Sequence, residues 1–184
     1  MVGLIIIAVF VVVALAWGIG IYNKLVGLRQ NVKNGWSQID VQLKRRHDLI
    51  PNLVETAKGY ITHERGTLEA VIKARQQAVS AHDIKEKVQA ENFLSSTLRS
   101  LFAVSENYPN LKADQQMLRL QEELTTTENK IAFARQYYND EAARLNTAVQ
   151  SFPDTVIAQA CRFEKADFFE VGEAAEREAP KVKF

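Results

Sequence analysis

VGLIIIAVFVVVALAWGIGIYNKLVGLRQNVKNGWSQIDVQL, residues Val2–Leu43, is the stretch that decides the fold. Its first half, Val2–Tyr22, holds no charged, amide or aliphatic hydroxyl side chain, and the first charge in the chain is Lys24. About 20 apolar residues, rising about 1.5 Å each, span a hydrocarbon core of about 30 Å. Val and Ile dominate the run and would suit a buried strand. Its uninterrupted length favours a spanning helix instead, because a helix satisfies its backbone hydrogen bonds internally. Trp17 and Tyr22 fall near the C-terminal end of the run, where amphipathic rings favour the headgroup layer. Ala14-Leu15-Ala16 offers the small-x-small site of a cleaved signal peptide, but there is no basic n-region and the apolar run continues to Ile21. The expectation is an uncleaved anchor.

In the second half, Leu25, Leu28, Val32, Trp36, Ile39 and Leu43 recur at spacings of three and four, the period of one helical face. No turn signal separates Ile21 from Leu43, so the membrane helix is expected to run directly into the body. Lys24, Arg29 and Lys33 precede the first acid, Asp40, and Lys44-Arg45-Arg46 follow it. The positive-inside rule then places the C-terminal body in the cytoplasm and the short N-terminus outside. Lys24, Arg29 and Lys33 are the expected lipid-headgroup contacts. Leu43 lies about 32 Å past Tyr22 along a straight helix, well beyond a Debye length of about 8 Å, so Lys44-Arg45-Arg46 is a poorer candidate.

Outward from there, Pro51 is expected to end or kink the first helix near Ile50. The stripe resumes through Val54, Ala57, Ile61, Leu68, Val71, Ile72 and Ala78 to about Val79, and breaks at Ser80-Ala81-His82-Asp83. Asp83 and Glu86 are spaced to cap the next helix reciprocally. That helix turns Ile84, Val88, Glu91, Leu94, Leu98, Leu101 and Phe102 inward and ends at Tyr108-Pro109-Asn110, with Asn110 available to cap its successor. A long helix carrying Met117, Leu120, Leu124, Ile131, Ala134, Tyr138, Ala142, Leu145 and Val149 follows and stops at Ser151-Phe152-Pro153. A short amphipathic segment with Val156, Ile157, Ala160 and Phe163 comes last. Long helices with short connections predict an all-α, antiparallel up-and-down bundle of four-helix type. The expected division is an anchor at 1–22, a bundle at 23–171 and a charged tail at 172–184.

Composition narrows the function classes. Lys+Arg 23 against Asp+Glu 22 leaves a formal charge of +1, with no global field for nucleic acid. Among 184 residues there are 8 Gly and 4 Pro, and none of the glycines lies between Gly66 and Gly172. Turn-dense β folds, Gly-rich phosphate loops and serine-hydrolase elbows are thereby excluded from the middle of the chain. A single cysteine, Cys161, excludes an intrachain disulfide framework and a multi-thiolate zinc site, and suits a reducing compartment. It is expected to be a small buried or partly exposed thiol. His47, His63 and His82 have no His or Cys within helical reach, so they are expected at the surface or in caps, and no metal or cofactor is expected.

The polar run from Asp40 to Asn52 is the candidate site. Asp40 and Lys44 stand at i,i+4, as do Gln42 and Arg46, and Asn52 follows Pro51. Arg46 falls on or beside the apolar stripe, and a buried arginine needs a carboxylate; Glu55 and Glu128 are available. Two readings stay open: a buried polar network that fixes helix register and relieves the backbone at Pro51, or a contact surface for another subunit or protein. Leu25, Leu28, Val32, Trp36 and Ile39 are expected to stay uncovered beside the membrane and to form the contacts of a homo-oligomer together with the anchor, where Gly3, Ala14, Gly18 and Gly20 allow close helix approach without a GxxxG pair.

Several blocks together resemble one family. Tyr22-Asn23-Lys24-Leu25-Val26 with Leu28-Arg29 is similar to the start of the soluble part of LemA proteins. Trp36-Ser37-Gln38-Ile39-Asp40-Val41-Gln42-Leu43-Lys44-Arg45-Arg46 and Asp48-Leu49-Ile50-Pro51-Asn52-Leu53-Val54 form its most specific stretch. Tyr108-Pro109-Asn110-Leu111-Lys112-Ala113, Thr127-Glu128-Asn129-Lys130-Ile131-Ala132, Ala134-Arg135-Gln136, Tyr138-Asn139-Asp140, Phe152-Pro153 and Phe168-Phe169-Glu170 resemble the later blocks. Gly35 stands where the family pattern has alanine, and Asn110 where aspartate is common. The resemblance implies one N-terminal anchor, a helical bundle and no established enzymatic activity, with relatives tied to membrane-organelle biogenesis and to envelope stress. Two functions follow as expectations: a self-associating membrane scaffold that organises or remodels the bilayer, or an adaptor that recruits an envelope-stress protease or signalling protein.

Overall fold

The structure, a computed structural model, describes residues 1–61 and 64–169. His63, Glu170 and the tail 172–184 lie outside the described residues. Six helices follow one another among the described residues: α1 Val2–Lys58, α2 Arg65–Ser80, α3 Ile84–Ser105, α4 Pro109–Lys112, α5 Gln115–Gln150 and α6 Asp154–Ala160. There is no strand among the described residues, so the chain is all-α, as its sequence predicts.

α1 runs 57 residues with Pro51 inside it, so the helix does not end near Ile50; the break expected only at Ser80 comes first at Gly59, before α2 begins at Arg65. Proline at 51 removes the N–H that would bond the carbonyl of residue 47. That carbonyl instead accepts a 2.7 Å hydrogen bond from Arg75 Nε on α2. With the freed oxygen satisfied and Ile50 and Leu53 fully buried on either side, the helix continues until Gly59 and Tyr60 turn the chain.

The caps also differ from expectation by small shifts. Asp83 is the N-cap of α3 with extended backbone, but its carboxylate makes no cap bond. Glu86 Oε2 accepts the N–H of His82 instead, at 3.3 Å. Asn110 lies inside α4, and the cap of α5 is Asp114, whose Oδ1 accepts the Met117 N–H at 2.9 Å. Tyr60 donates its hydroxyl to the other oxygen at 3.0 Å, and these two bonds, the backbone one foremost, hold the Asp114 carboxyl below its usual range. α6 closes on Arg162 in the left-handed region, φ 55°, with the Phe163 N–H on the Ala158 carbonyl and the Arg162 N–H on that of Gln159. This is a Schellman end, with an arginine where glycine is usual.

The chain divides into two compact units. The first joins Met1–Asp40 to Ala132–Phe168. Within it α1 and α5 run antiparallel: the Trp36 ring meets Tyr138 edge-on at 5.5 Å, Asn31 Nδ2 donates to Glu141 at 3.1 Å, and Leu25 packs with Ala148. The helices approach closely at Gly35, where an added Cβ would sit 3.1 Å from the Tyr138 Cα, so the smallest residue suits this position. After α6 the chain returns along α5, held by Asn146, which bonds both backbone groups of Ala166, and by the Tyr138 hydroxyl on the Asp167 carbonyl.

The second unit joins Val41–Ile131 and Phe169. Its core is built from Ile50, Leu53, Val54 and Ala57 of α1, Leu68 and Val71 of α2, Leu94 and Leu101 of α3, and Met117, Leu120 and Leu124 of α5.

The apolar stripe next to the anchor is covered within the chain, contrary to expectation. Leu25 and Ile39 are fully buried, and Leu28, Val32 and Trp36 are half-buried. The end of α5, α6 and Phe163 reach far enough up α1 to pack on Leu25. In contrast, the large apolar side chains from Val2 through Ile19 are exposed throughout.

Candidate functional site

Arg46 follows Ile39 and Leu43 and precedes Ile50 and Leu53 at core spacing, so the helix delivers its guanidinium into the interior of the second unit. Its side chain is 1 % exposed. Two other helices bring an acid to it, one from a buried position and one from the edge of the core. Glu91, on α3 between Val88 and Leu94, is fully buried and pairs with Arg46 through Nη2. Glu128, on α5 between Leu124 and Ile131, takes Nη1 at 2.5 Å, and Ser95 Oγ takes the same nitrogen at 3.0 Å. Glu128 is 45 % exposed, so this edge of the network reaches solvent. Beside it lies a pocket of about 220 Å³, floored by Leu98, Phe102 and Leu124.

His47 completes the network and is not a surface residue. Its Nε2 lies 2.8 Å from the second oxygen of Glu91. Its pKa is lowered from 6.5 to about 4, first by burial and then by the Arg46 and Arg75 cations. The neutral ring donates from Nε2, so Glu91 has a partner on each oxygen. A carboxylate bonded in this way is a poor general base, and the cluster contains no activated nucleophile. What it does chemically is hold three helices in one register through charge-assisted bonds.

Of the seven residues expected in this network, the structure brings Arg46 and Glu128 together. Glu55 is exposed and pairs with Lys58 at 3.2 Å, while Lys44 and Asn52 are exposed. Relief of the backbone at Pro51 comes from Arg75 and not from Asn52. Asp40 is half-buried in the first unit, and Gln42 keeps a buried Oε1 that lacks a hydrogen-bond partner. Sequence reasoning missed Glu91, Ser95 and His47 as members; the available signal was an acid, Glu91, at a core-facing position of its helix.

Other candidates fall outside the network. His82 and Cys161 are exposed. Among the described residues, no group of three His, Cys, Asp or Glu side chains converges to hold a metal. Lys24 pairs with Asp154 at 2.5 Å while keeping a 58 % exposed side chain, the Arg29 guanidinium sits 5.0 Å over the Phe163 ring, and Lys33 is exposed. By length and composition, the apolar part of α1 is enough to cross a membrane.

A family model described as the LemA family matches residues 35–184. The chain is 24% identical over 156 residues to Protein LemA of Metamycoplasma hominis, covering 84% of this chain and 71% of that one. It is 21% identical over 174 residues to Magnetosome protein MamQ of Magnetospirillum gryphiswaldense, covering 80% and 64%. Against Magnetosome protein MamQ 1 of Paramagnetospirillum magneticum it is 24% identical over 175 residues, covering 81% and 64%. The chain thus spans just under two thirds of the length of these MamQ proteins.

Proposed function

The chain belongs to the LemA family, and from that premise we propose that it is a non-enzymatic scaffold anchored in the cell membrane, whose copies associate and organise the bilayer. One observation carries the membrane part. A single helix, α1, is apolar and exposed from Val2 to Ile19, then continues unbroken into a packed body. An exposed apolar surface of this size needs a cover, and a bilayer matches its length. The basic flank Lys24, Arg29 and Lys33 supports a single pass with the body on the cytoplasmic side. Likeness to relatives named as magnetosome proteins supports a place at a membrane.

Self-association, in this reading, runs through the anchor, because Leu25 and Ile39 are already buried and Leu28, Val32 and Trp36 half-buried within the chain. Gly3 and Gly20 have open space where a Cβ would stand, which permits close approach of a neighbouring helix. The test is the mass of the full-length protein in mild detergent, corrected for bound detergent. A defined multiple of the 20.8 kDa chain is expected. A monomer would contradict self-association and leave the adaptor reading, in which the helical body recruits a protease or signalling protein.

A further inference from the structure

We propose that the turn after α5 and the helix α6 form a second membrane contact, in which Phe152, Val156 and Ile157 enter the headgroup–acyl boundary of the leaflet where α1 leaves the bilayer. The inference rests on the anchoring of α1 and adds a lipid-binding surface on the body itself.

The register of the first unit brings this segment to the membrane. Moving along α5 from Tyr138 to Ala148, its partners on α1 move from Trp36 back to Leu25. Asp154, just past the turn, is bonded to Lys24 at 2.5 Å. α6 then reaches still closer to the anchor: the Ile157 Cδ1 lies 3.7 Å from where a Cβ on Gly18 would be. Gly18 belongs to the apolar run and stands six residues before Lys24, about 9 Å along a helix axis. If the Lys24 ammonium marks the level of the phosphates, a side chain touching Gly18 is already among acyl chains.

The exposed side chains on this segment are of the right kind. Phe152 is 82 % exposed and Val156 is 56 % exposed, on a turn and a helix of about two turns that bury Ala158 and Phe163 against α1. Interfacial segments of this type sink about 5–10 Å into the headgroup–acyl boundary. Tyr22 and Phe163 meet edge-on at 5.8 Å beside them, a pair suited to the aromatic belt. Arg29, Arg162 and Lys165 present exposed cations on the same unit, with the exposed acids Glu164 and Asp167 interleaved, so the apolar side chains rather than net charge carry the contact. Asp154, the acid within the segment, is neutralised by Lys24.

The test uses the full-length chain with Cys161→Ser, carrying one spin label at a time at Phe152→Cys, Val156→Cys, Phe133→Cys or Phe10→Cys. The protein is reconstituted in vesicles of phosphatidylcholine and phosphatidylglycerol. All four native side chains are exposed, so the substitutions leave the packing intact, which helical content by circular dichroism verifies. Phe133 lies on α5 about 25 Å farther from the anchor and serves as the aqueous reference. The oxygen-to-nickel collision ratio at residues 152 and 156 is expected to exceed that at 133 several-fold. Equal ratios, with residue 10 still reading lipid, would overturn the second contact and leave anchoring intact. Low collision with both reagents would mean a protein cover, such as a second copy, and would also overturn it. An aqueous reading at residue 10 would remove the anchor and the inference together.

Discussion

Replacing Arg46 with alanine is expected to destabilise the folded chain by about 3–5 kcal/mol, the cost of leaving a buried partner charge uncompensated. Glu91 is the reason the effect is large. It is fully buried, and its remaining partner would be the neutral ring of His47. Arg46 also serves Glu128 and Ser95, so the truncation opens a cavity and unpairs three groups from two other helices. Chemical denaturation of the wild type and of Arg46→Ala reads the difference directly. A companion pair, Arg46→Met with Glu91→Leu, is expected to recover most of the loss, because an apolar replacement of a whole buried ion pair is often neutral or stabilising. Glu55→Ala is expected to stay within about 0.5 kcal/mol of the wild type, as surface changes usually do. Unchanged stability in Arg46→Ala would place the guanidinium at the surface and refute the network as the joint of the second unit.

Acidification is expected to weaken the same joint through His47. The groups facing its ring are Arg46 and Asp48 from α1, Arg75 from α2, and Lys87 and Glu91 from α3. Glu91 favours the imidazolium, but Arg46 already neutralises that carboxylate, and burial decides in favour of the neutral ring. The folded pKa of about 4 lies below the ordinary imidazole value of 6.5, so between these two values the unfolded chain binds a proton that the folded chain refuses. Stability from this residue is therefore complete above about pH 6.5 and is lost as pH falls towards 4. A drop from about pH 7.5 to about pH 5 should remove on the order of 2 kcal/mol. Melting curves at both pH values, for the wild type and for His47→Gln, isolate the contribution. The variant is expected to lose that part of the pH dependence; an identical dependence in both proteins would show that His47 titrates freely.

The elements that were legible in the sequence are those fixed by short-range rules. The apolar run to Tyr22, the stripe from Leu25 to Leu43, the break at Ser80–Asp83 and the stop at Pro153 each depend on spacing or on a local breaker. Pro51 shows where such rules fail: the local rule ends the helix, and a side chain 24 positions away, Arg75, overrides it. The covered stripe was illegible for a similar reason. Whether α5 and α6 reach Leu25 depends on the register of two antiparallel helices, which neither helix encodes alone. In the candidate site, Arg46 was readable as a charge at a core position, and Glu128 as an available acid. Glu55 is equally available as a carboxylate, yet nine residues at about 100° each put it on the opposite face of α1 from Arg46. Glu91 carried a signal that needed only one more step, since an acid among Val88, Leu94 and Leu98 must find a cation once buried.

The central claim, that α1 fixes this body to a membrane through Val2–Tyr22, is tested most directly by alkaline carbonate extraction of membranes from cells expressing the full chain or a chain lacking those residues. The full chain is expected to stay in the membrane pellet and the shortened chain to be released. Release of the full chain, or retention of the shortened one as an integral protein, would contradict it.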